Sequence, residues 1–263
     1  MATYRCIQLG RGAFPGRSAR FDLSAGYPPA IRLQQIFAAT DRRNRERILE
    51  LCIAVPGGRL LDLGCSDGAF TLELAGRIGA SELHGVEYVE ASAARARERG
   101  IDVVSTNLND PFPYASETFD VVHSNQVIEH LEATDSFLRE IRRVLKPSGY
   151  AVISTNNLAS WHNIASLLLG MQPMPCHVSD EVVLGNRFDP QREHAAAKGF
   201  THLRVFSYSA LRELLEFHGF TVERLVTSGY YPFPPRIADV LCRLDPRHGA
   251  YLIARARRDE SQR

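Results

Sequence analysis

The sequence predicts an α/β fold built on a parallel sheet with helices on both faces. Two observations carry this. Between residues 59 and 155, short apolar runs alternate with amphipathic stretches of helical period, which is the rhythm of repeated βαβ units. The runs are mostly apolar without strict alternation, as expected of strands buried on both faces. A length of 263 residues suits one large α/β domain with additions, or at most two small ones.

Taken in order, residues 1–30 are rich in Gly, Pro and Arg without a period, and are expected to be an arm or flap ordered by ligand. From Ala30 to about Val55, Ile31, Leu33, Ile36, Phe37, Ile48, Leu49 and Leu51 recur at helical spacing, with a polar break at Asp41–Arg45. Pro56-Gly57-Gly58 ends that helical region, so residues 1–55 read as an N-terminal arm and helices. The core, 56–155, holds expected strands at Arg59–Leu63, Glu82–Val86, Asp102–Ser105, Phe119–Ser124 and Tyr150–Thr155. Between them lie expected helices at Phe70–Ile78, Glu90–Arg99 and Asp135–Leu145; in the last, Phe137, Leu138, Ile141, Val144 and Leu145 form one stripe. Lys146-Pro147-Ser148-Gly149 reads as the turn into the next strand.

The rhythm then breaks. Residues 156–206 are too many for an ordinary loop and are expected to form a lid with its own helix, Trp161–Leu169. Residues 207–256 return to the core with a helix at Ser207–His218 and strands at Thr221–Thr227 and Ala250–Ala256. An aromatic, Pro-rich stretch, Tyr230–Pro235, lies between those strands, and 257–263 is a polar tail.

Composition removes several functions. Hydrophobic residues are 44% and charged residues 23%, with a formal charge of +1. That balance lacks the Lys/Arg excess of a sequence-independent nucleic-acid binder. The five cysteines are scattered without a C-x-x-C pair, giving neither a zinc site nor a disulfide framework. No apolar signal core and no long apolar stretch are evident, so a cytoplasmic protein with no membrane partner is expected.

The strongest local signal is Leu60-Leu61-Asp62-Leu63-Gly64-Cys65-Ser66-Asp67-Gly68, a strand running through a two-glycine turn into a helix. Gly64 permits a tight turn, and Gly68 permits close packing of the next helix. Glu87 closes the following strand, where a carboxylate can accept bonds from both hydroxyls of a ribose. A nucleoside cofactor follows. The G-x-G-x-x-G spacing that accommodates a pyrophosphate is missing, and Asp67 stands where phosphate would be repelled. An adenosyl group with an amino-acid tail fits better, with Asp62 attracting its ammonium directly or through water.

These residues resemble the class I S-adenosylmethionine-dependent methyltransferases, in particular the small-molecule group that includes the ubiquinone-pathway O-methyltransferases. The glycine loop resembles their first motif. Phe119-Asp120-Val121-Val122-His123-Ser124-Asn125-Gln126-Val127-Ile128-Glu129-His130-Leu131 is similar to their fourth-strand motif. Arg143-Val144-Leu145-Lys146-Pro147-Ser148-Gly149 is similar to the segment before their fifth strand. Ser66, Gln126 and Asn107 depart from the common pattern. The resemblance implies a Rossmann-like, doubly wound, mostly parallel seven-stranded sheet with the lid inserted between strand 5 and the last helix. It also implies S-adenosylmethionine as cofactor: Gly64, the Cys65 backbone and Gly68 cradle its methionine portion, and Glu87 holds its ribose. Tyr88 flanks the adenine, Asn107 and Leu108 meet its edge, and Ser124 and Asn125 lie beside the sulfonium.

The acceptor is read as a small molecule, most simply one with a hydroxyl. Ser124-Asn125-Gln126-Val127 lacks the [ND]-P-P-[YF] pattern of enzymes that methylate planar amino groups. Pro175-Cys176 resembles the Pro-Cys of cytosine C5 enzymes but falls in the insertion, where a packed thiol is the simpler reading. Trp161, His162, Met171, Met174, His177, His194 and His202 suit an adaptable pocket. His202 and His130 are the candidate bases, with His202 preferred because its segment follows the lid. Two other readings stay open: a methyltransferase-like subunit that binds cofactor without turnover, and a nicotinamide-dependent oxidoreductase. Nothing in the sequence fixes the oligomeric state or calls for a metal.

Overall fold

The computed structural model describes residues 28–179, 181–189, 192 and 201–259, with side chains from Gln35 onward. The expected N-terminal flap, apart from its last residues, and His194 lie outside the described residues. Seven strands, β1 (Arg59–Leu63), β2 (Glu82–Val86), β3 (Asp102–Val104), β4 (Phe119–Asn125), β5 (Leu145–Asn156), β6 (Phe220–Ser228) and β7 (Tyr251–Arg258), form one sheet in the order β3-β2-β1-β4-β5-β7-β6. All neighbours pair in parallel except β7, which runs antiparallel between β5 and β6. The helices are α1 (Pro28–Leu51), α2 (Ala69–Ile78), α3 (Glu90–Glu98), α4 (Thr134–Val144), α5 (Trp161–Leu168), α6 (Tyr208–Phe217) and α7 (Pro235–Leu244).

Alternate residues of the central strands feed two cores. Leu60, Val121 and Val152 join Ile48, Leu74 and Ile78 on the face covered by α1 and α2. Leu61, Val122 and Ile153 join Phe137, Leu138, Ile141, Leu211 and Leu215 on the face covered by α4 and α6. Both faces of the sheet are therefore dry, which is why its strands read as apolar runs.

Three elements differ from the sequence reading. The polar break at Asp41–Arg45 does not interrupt α1: Arg43 and Arg47 bond Asp239 of α7 at 3.0 and 3.2 Å, so the polar residues are a docking stripe. The Lys146–Gly149 turn lies inside β5, as an irregularity where pairing slips from Phe119↔Leu145 to Val121↔Tyr150 and Ser148 turns left-handed at φ 64°. Helix α7 follows the aromatic, Pro-rich stretch, where no helix is expected from the sequence reading. Its start carries Pro at the first turn, where a missing N–H does no harm. Among the described residues, no helix is long and apolar enough to cross a membrane.

Candidate active site

The site is assembled where strand order reverses, beyond the carboxyl ends of β1, β2, β4 and β5, the usual crevice of an open α/β sheet. β1 delivers the chain into the loop Gly64–Gly68. Gly64 and Gly68 have φ of 80° and 79°, conformations open to glycine and disfavoured for other residues. An added Cβ would come within 2.5 Å of Val127 Cγ2 at Gly64, and within 2.4 Å of Ile101 Cδ1 at Gly68. The loop is thus pressed between α3 and the chain leaving β4.

Glu87 braces that loop. One carboxylate oxygen accepts from the Ser66 amide at 2.9 Å, and the other accepts from the Val89 amide at 2.7 Å. Each oxygen keeps a second lone pair for an incoming hydroxyl. Beside it the Tyr88 ring is 73% exposed. Asn107 uses its side-chain oxygen within its own turn, accepting from the Asn109 amide at 3.0 Å.

A second group of polar residues lies past β4 and β5. Gln126 leaves β4 in a left-handed turn, φ 55°, its amide donating to the Ser154 carbonyl at 2.9 Å. A single helical turn, Ile128–His130, follows. Glu129 is 1% exposed and accepts from the Thr155 hydroxyl at 2.9 Å and from the Asn156 amide at 3.3 Å. Burial pushes its carboxyl up to about 7, against the downward pull of those hydrogen bonds. His130 and His202 stand with ring centres 4.9 Å apart, and His177 stacks on His202 at the same spacing. Burial, with His130 and His177 nearby, holds His202 down to about 4; burial likewise lowers His130. His202 Nδ1 faces the Pro175 carbonyl at 3.0 Å and His130 Nδ1 faces that of Thr201 at 3.2 Å. A carbonyl can only accept, so each Nδ1 carries the proton and each Nε2 the lone pair.

Gln126, His130, Asn156, His177 and His202 line a cavity of about 240 Å³, together with Asn163, Tyr231 and Tyr251, while Glu129 stays buried behind them. It adjoins a larger, apolar cavity of about 510 Å³ lined by Trp161, Leu169, Met171, Phe188 and Pro232; Phe37, His162, Met174 and Tyr231 border both. Gly64 abuts Val127, the residue that follows Gln126 of the polar chamber in the chain.

The methyltransferase domain family model matches residues 35–225. The chain belongs to the methyltransferase domain family. It is 32% identical over 215 residues to a probable S-adenosylmethionine-dependent methyltransferase of Mycolicibacterium smegmatis, covering 81% of this chain and 68% of that one. It is 29% identical over 188 residues to the mitochondrial ubiquinone biosynthesis O-methyltransferase of Homo sapiens, covering 67% of this chain and 45% of the human protein. This methyltransferase chain thus spans about half the length of that curated relative. The crystal structure of an S-adenosylmethionine-dependent methyltransferase from Mesorhizobium loti has the same fold, with a TM-score of 0.54 and 20% identity over 81% of this chain and 96% of that one.

The cofactor of this family member is S-adenosylmethionine, and the residues present fit it. The loop offers backbone amides and a braced carboxylate, with an exposed aromatic ring beside them. Asp67 is paired with Arg99 at 3.2 Å, so its charge is balanced within the fold and, unlike the loop spacing, does not disfavour a pyrophosphate.

Asp62 lies beneath the loop. It is 3% exposed, and its oxygens accept from Thr71 at 2.5 Å and meet His123 Nδ1 at 2.7 Å. It ties β1, α2 and β4 together, its carboxylate engaged by both partners. Ser124 is fully buried, and Asn125 is held by Asn44 of α1 at 3.0 Å. Cys65 packs against Gly85 and its thiol is pushed up to about 12 by burial, with Asp62 and Glu87 adding to the rise. Burial raises the Cys176 thiol too, the opposite of what a nucleophilic cysteine needs.

His130 and His202 are rivals in the sequence and neighbours in space. Glu129, inside the Ile128-Glu129-His130 run, joins them without a role expected from the sequence. Nothing in the chain order of Asn156, Tyr231 or Tyr251 announces that they converge on one place. A glutamate flanked by Ile128 on an otherwise buried turn was the available signal.

Proposed function

We propose that this protein transfers a methyl group from S-adenosylmethionine to a hydroxyl of a small amphipathic molecule. The observation that carries the reading is the contact of Gly64 with Val127, whose chain neighbour Gln126 lines the histidine chamber. Gly64, the Cys65 backbone, Gly68, Glu87, Tyr88 and Asn107-Leu108 are proposed to hold the cofactor, with Ser124 and Asn125 supporting the strand end beside its sulfur.

S-adenosylmethionine supplies a methyl already activated by a positive sulfur. The chain's part is alignment and exclusion of water. The acceptor's reacting end would sit in the polar chamber and its apolar body between Trp161, Met171 and Phe188. Gln126, Asn156 and Tyr231 would orient the hydroxyl, to which the cofactor would supply the methyl. The hydroxyl proton passes to a lone pair of His202 or His130. The described residues of 156–206 act as the cover of this chamber, with Asn157 at its root, buried and donating to the Arg247 and Gly249 carbonyls.

The test is transfer of labelled methyl from S-adenosylmethionine to a panel of phenols and alcohols with and without alkyl chains. Label should enter an organic-extractable product, and His202→Ala should lower that rate by roughly 10²–10⁴-fold. Label entering protein or nucleic acid instead would overturn the reading. S-adenosylhomocysteine binding without any transfer would favour a non-catalytic cofactor-binding subunit.

A further inference from the structure

The lid helix is fastened from outside the two cavities. Trp161 opens α5, and its indole N–H donates to Asp245 Oδ2 at 2.8 Å. We propose that Asp245 is a positioning residue for the methyl acceptor: through Trp161 it holds one wall of the apolar cavity in place and keeps the lid closed on the acceptor's apolar body. The inference rests on reading that cavity as the place of the apolar body.

The first argument is convergence on one carboxylate. The same Oδ2 accepts from the Tyr230 hydroxyl at 2.8 Å, and Oδ1 faces His248 Nδ1 at 2.7 Å. Donors from α5, from the segment after β6 and from the turn after α7 thus meet at Asp245, the residue that caps α7. Burial pushes its carboxyl up, but the bonds from His248, Trp161 and Tyr230 outweigh that push and hold it down to about 2. The carboxylate is ionised at neutral pH, and its bonds are charge-assisted. The backbone repeats the grip. The Trp161 amide, one of the first N–H groups of α5 without a partner inside the helix, donates to the His248 carbonyl at 3.3 Å. Asn157 donates to the Arg247 and Gly249 carbonyls on either side. The turn 245–250 therefore holds the start of the lid by side chain and main chain alike.

The other argument is what Trp161 does on its inner side. Trp161, Ala165 and Leu169 recur every fourth residue along α5 and line the apolar cavity together with Phe188 and Pro232. Asp245, Tyr230 and His248 line neither cavity. The indole is 47% exposed, too open for burial alone to fix its rotamer, and its ring centre lies 4.8 Å from that of His248. A hydrogen bond and a ring contact on the outer side thus set where the inner side stands. An indole released from Asp245 has to be ordered again whenever a ligand enters the cavity, and that ordering weakens binding.

Trp161 is the single tryptophan of the chain, so indole emission reports on it alone. The experiment titrates the full chain with N-phenyl-1-naphthylamine, a neutral apolar probe that takes up energy from an indole, and follows the anisotropy of Trp161 in the same samples. The wild type should bind the probe with energy transfer and show an indole that tumbles only with the whole protein. Asp245→Leu should weaken probe binding by about tenfold and free the indole. Its S-adenosylhomocysteine affinity, within about twofold of wild type, reports an intact fold. Asp245→Asn keeps an oxygen for Trp161 and Tyr230, and should bring probe affinity back to within about threefold of wild type. Trp161→Phe, read by direct excitation of the probe, should weaken binding by a similar factor, and adding Asp245→Leu to it should cost less than about twofold more. A residue that only stabilised the fold would add its full loss again. No probe binding by the wild type, undiminished binding by Asp245→Leu, additive losses in the double variant, or an indole that rotates independently in the wild type would each overturn the proposal. The anisotropy of the wild type needs no variant, so it decides even if Asp245→Leu fails to fold. Because probe binding needs no turnover, a chain that fails to transfer methyl would sink the functional reading and leave this one standing.

Discussion

Replacing Asp62 separates two roles that its place beside the loop could suggest. In the fold, its carboxylate accepts from Thr71 at 2.5 Å and meets His123 at 2.7 Å, with all three side chains buried. Asp62→Ala removes both bonds and strands two buried polar groups. His123 Nε2 has no hydrogen-bond partner among the described residues, so the ring would lose the contact its Nδ1 makes as well. Each stranded group costs about 1–3 kcal/mol, and breaking a buried paired network costs about 3–5 kcal/mol in total. Asp62→Asn keeps one acceptor and can donate to the other tautomer of His123, so its loss should be about 1–2 kcal/mol. Urea unfolding followed by circular dichroism reads both as a lowered midpoint at constant slope. Calorimetry with S-adenosylhomocysteine should show less than about tenfold weakening, from loosening of the loop alone. Full stability in Asp62→Ala, together with a hundredfold loss of cofactor affinity, would refute the buried-anchor account and restore a ligand role.

Three further outcomes follow from other parts of the fold. Gly68→Ala places a Cβ on a residue at φ 79°, 2.4 Å from Ile101 and 3.1 Å from the Ala96 backbone; unfolding should show a loss of about 2–4 kcal/mol, and a change under 0.5 kcal/mol would mean the loop relaxes freely. Burial holds His162 down to about 4, below its unfolded value of about 6.5, so the unfolded chain takes up the extra proton between those values. The stability of the neutral, buried ring is complete above pH 6.5 and falls as pH drops toward 4, by at most about 3 kcal/mol. His162→Phe should flatten that slope in urea unfolding from pH 4 to 7, and an unchanged slope would contradict it. Met174→Trp, at the border of both cavities, should cut binding of an apolar fluorescent probe while leaving S-adenosylhomocysteine affinity within about twofold; loss of both would place Met174 in the cofactor's pocket.

The elements that the sequence made legible are those whose logic is local. Phe137, Leu138, Ile141 and Val144 announce α4 because a helix repeats its buried face every three to four residues. Gly64 and Gly68 announce the loop because few other residues tolerate those angles. Helix α1 reads as broken because the partner of Arg43 is Asp239, 196 residues on, and no local pattern carries that information. The site divides in the same way. Glu87 follows from strand and spacing. The meeting of Glu129, His130 and His202 depends on a strap 71 residues from His130, tied back by the bond of Thr201 to His130. The anchoring of Asp62 is hidden for a related reason: its partner His123 is on β4, and only the parallel pairing of Asp62 with His123 brings them side by side.

The central claim is that the loop Gly64–Gly68 and Glu87 form an adenosyl-methionine site, with the acceptor chamber next to it. Calorimetric titration of the wild-type chain and Glu87→Ala with S-adenosylhomocysteine, and of the wild type with NAD, tests this most directly. The account predicts saturable binding of S-adenosylhomocysteine, a loss of about 2–4 kcal/mol on removing the Glu87 carboxylate, and no heat with NAD. Binding of NAD with no response to the adenosyl compound, or undiminished affinity in Glu87→Ala, would contradict it.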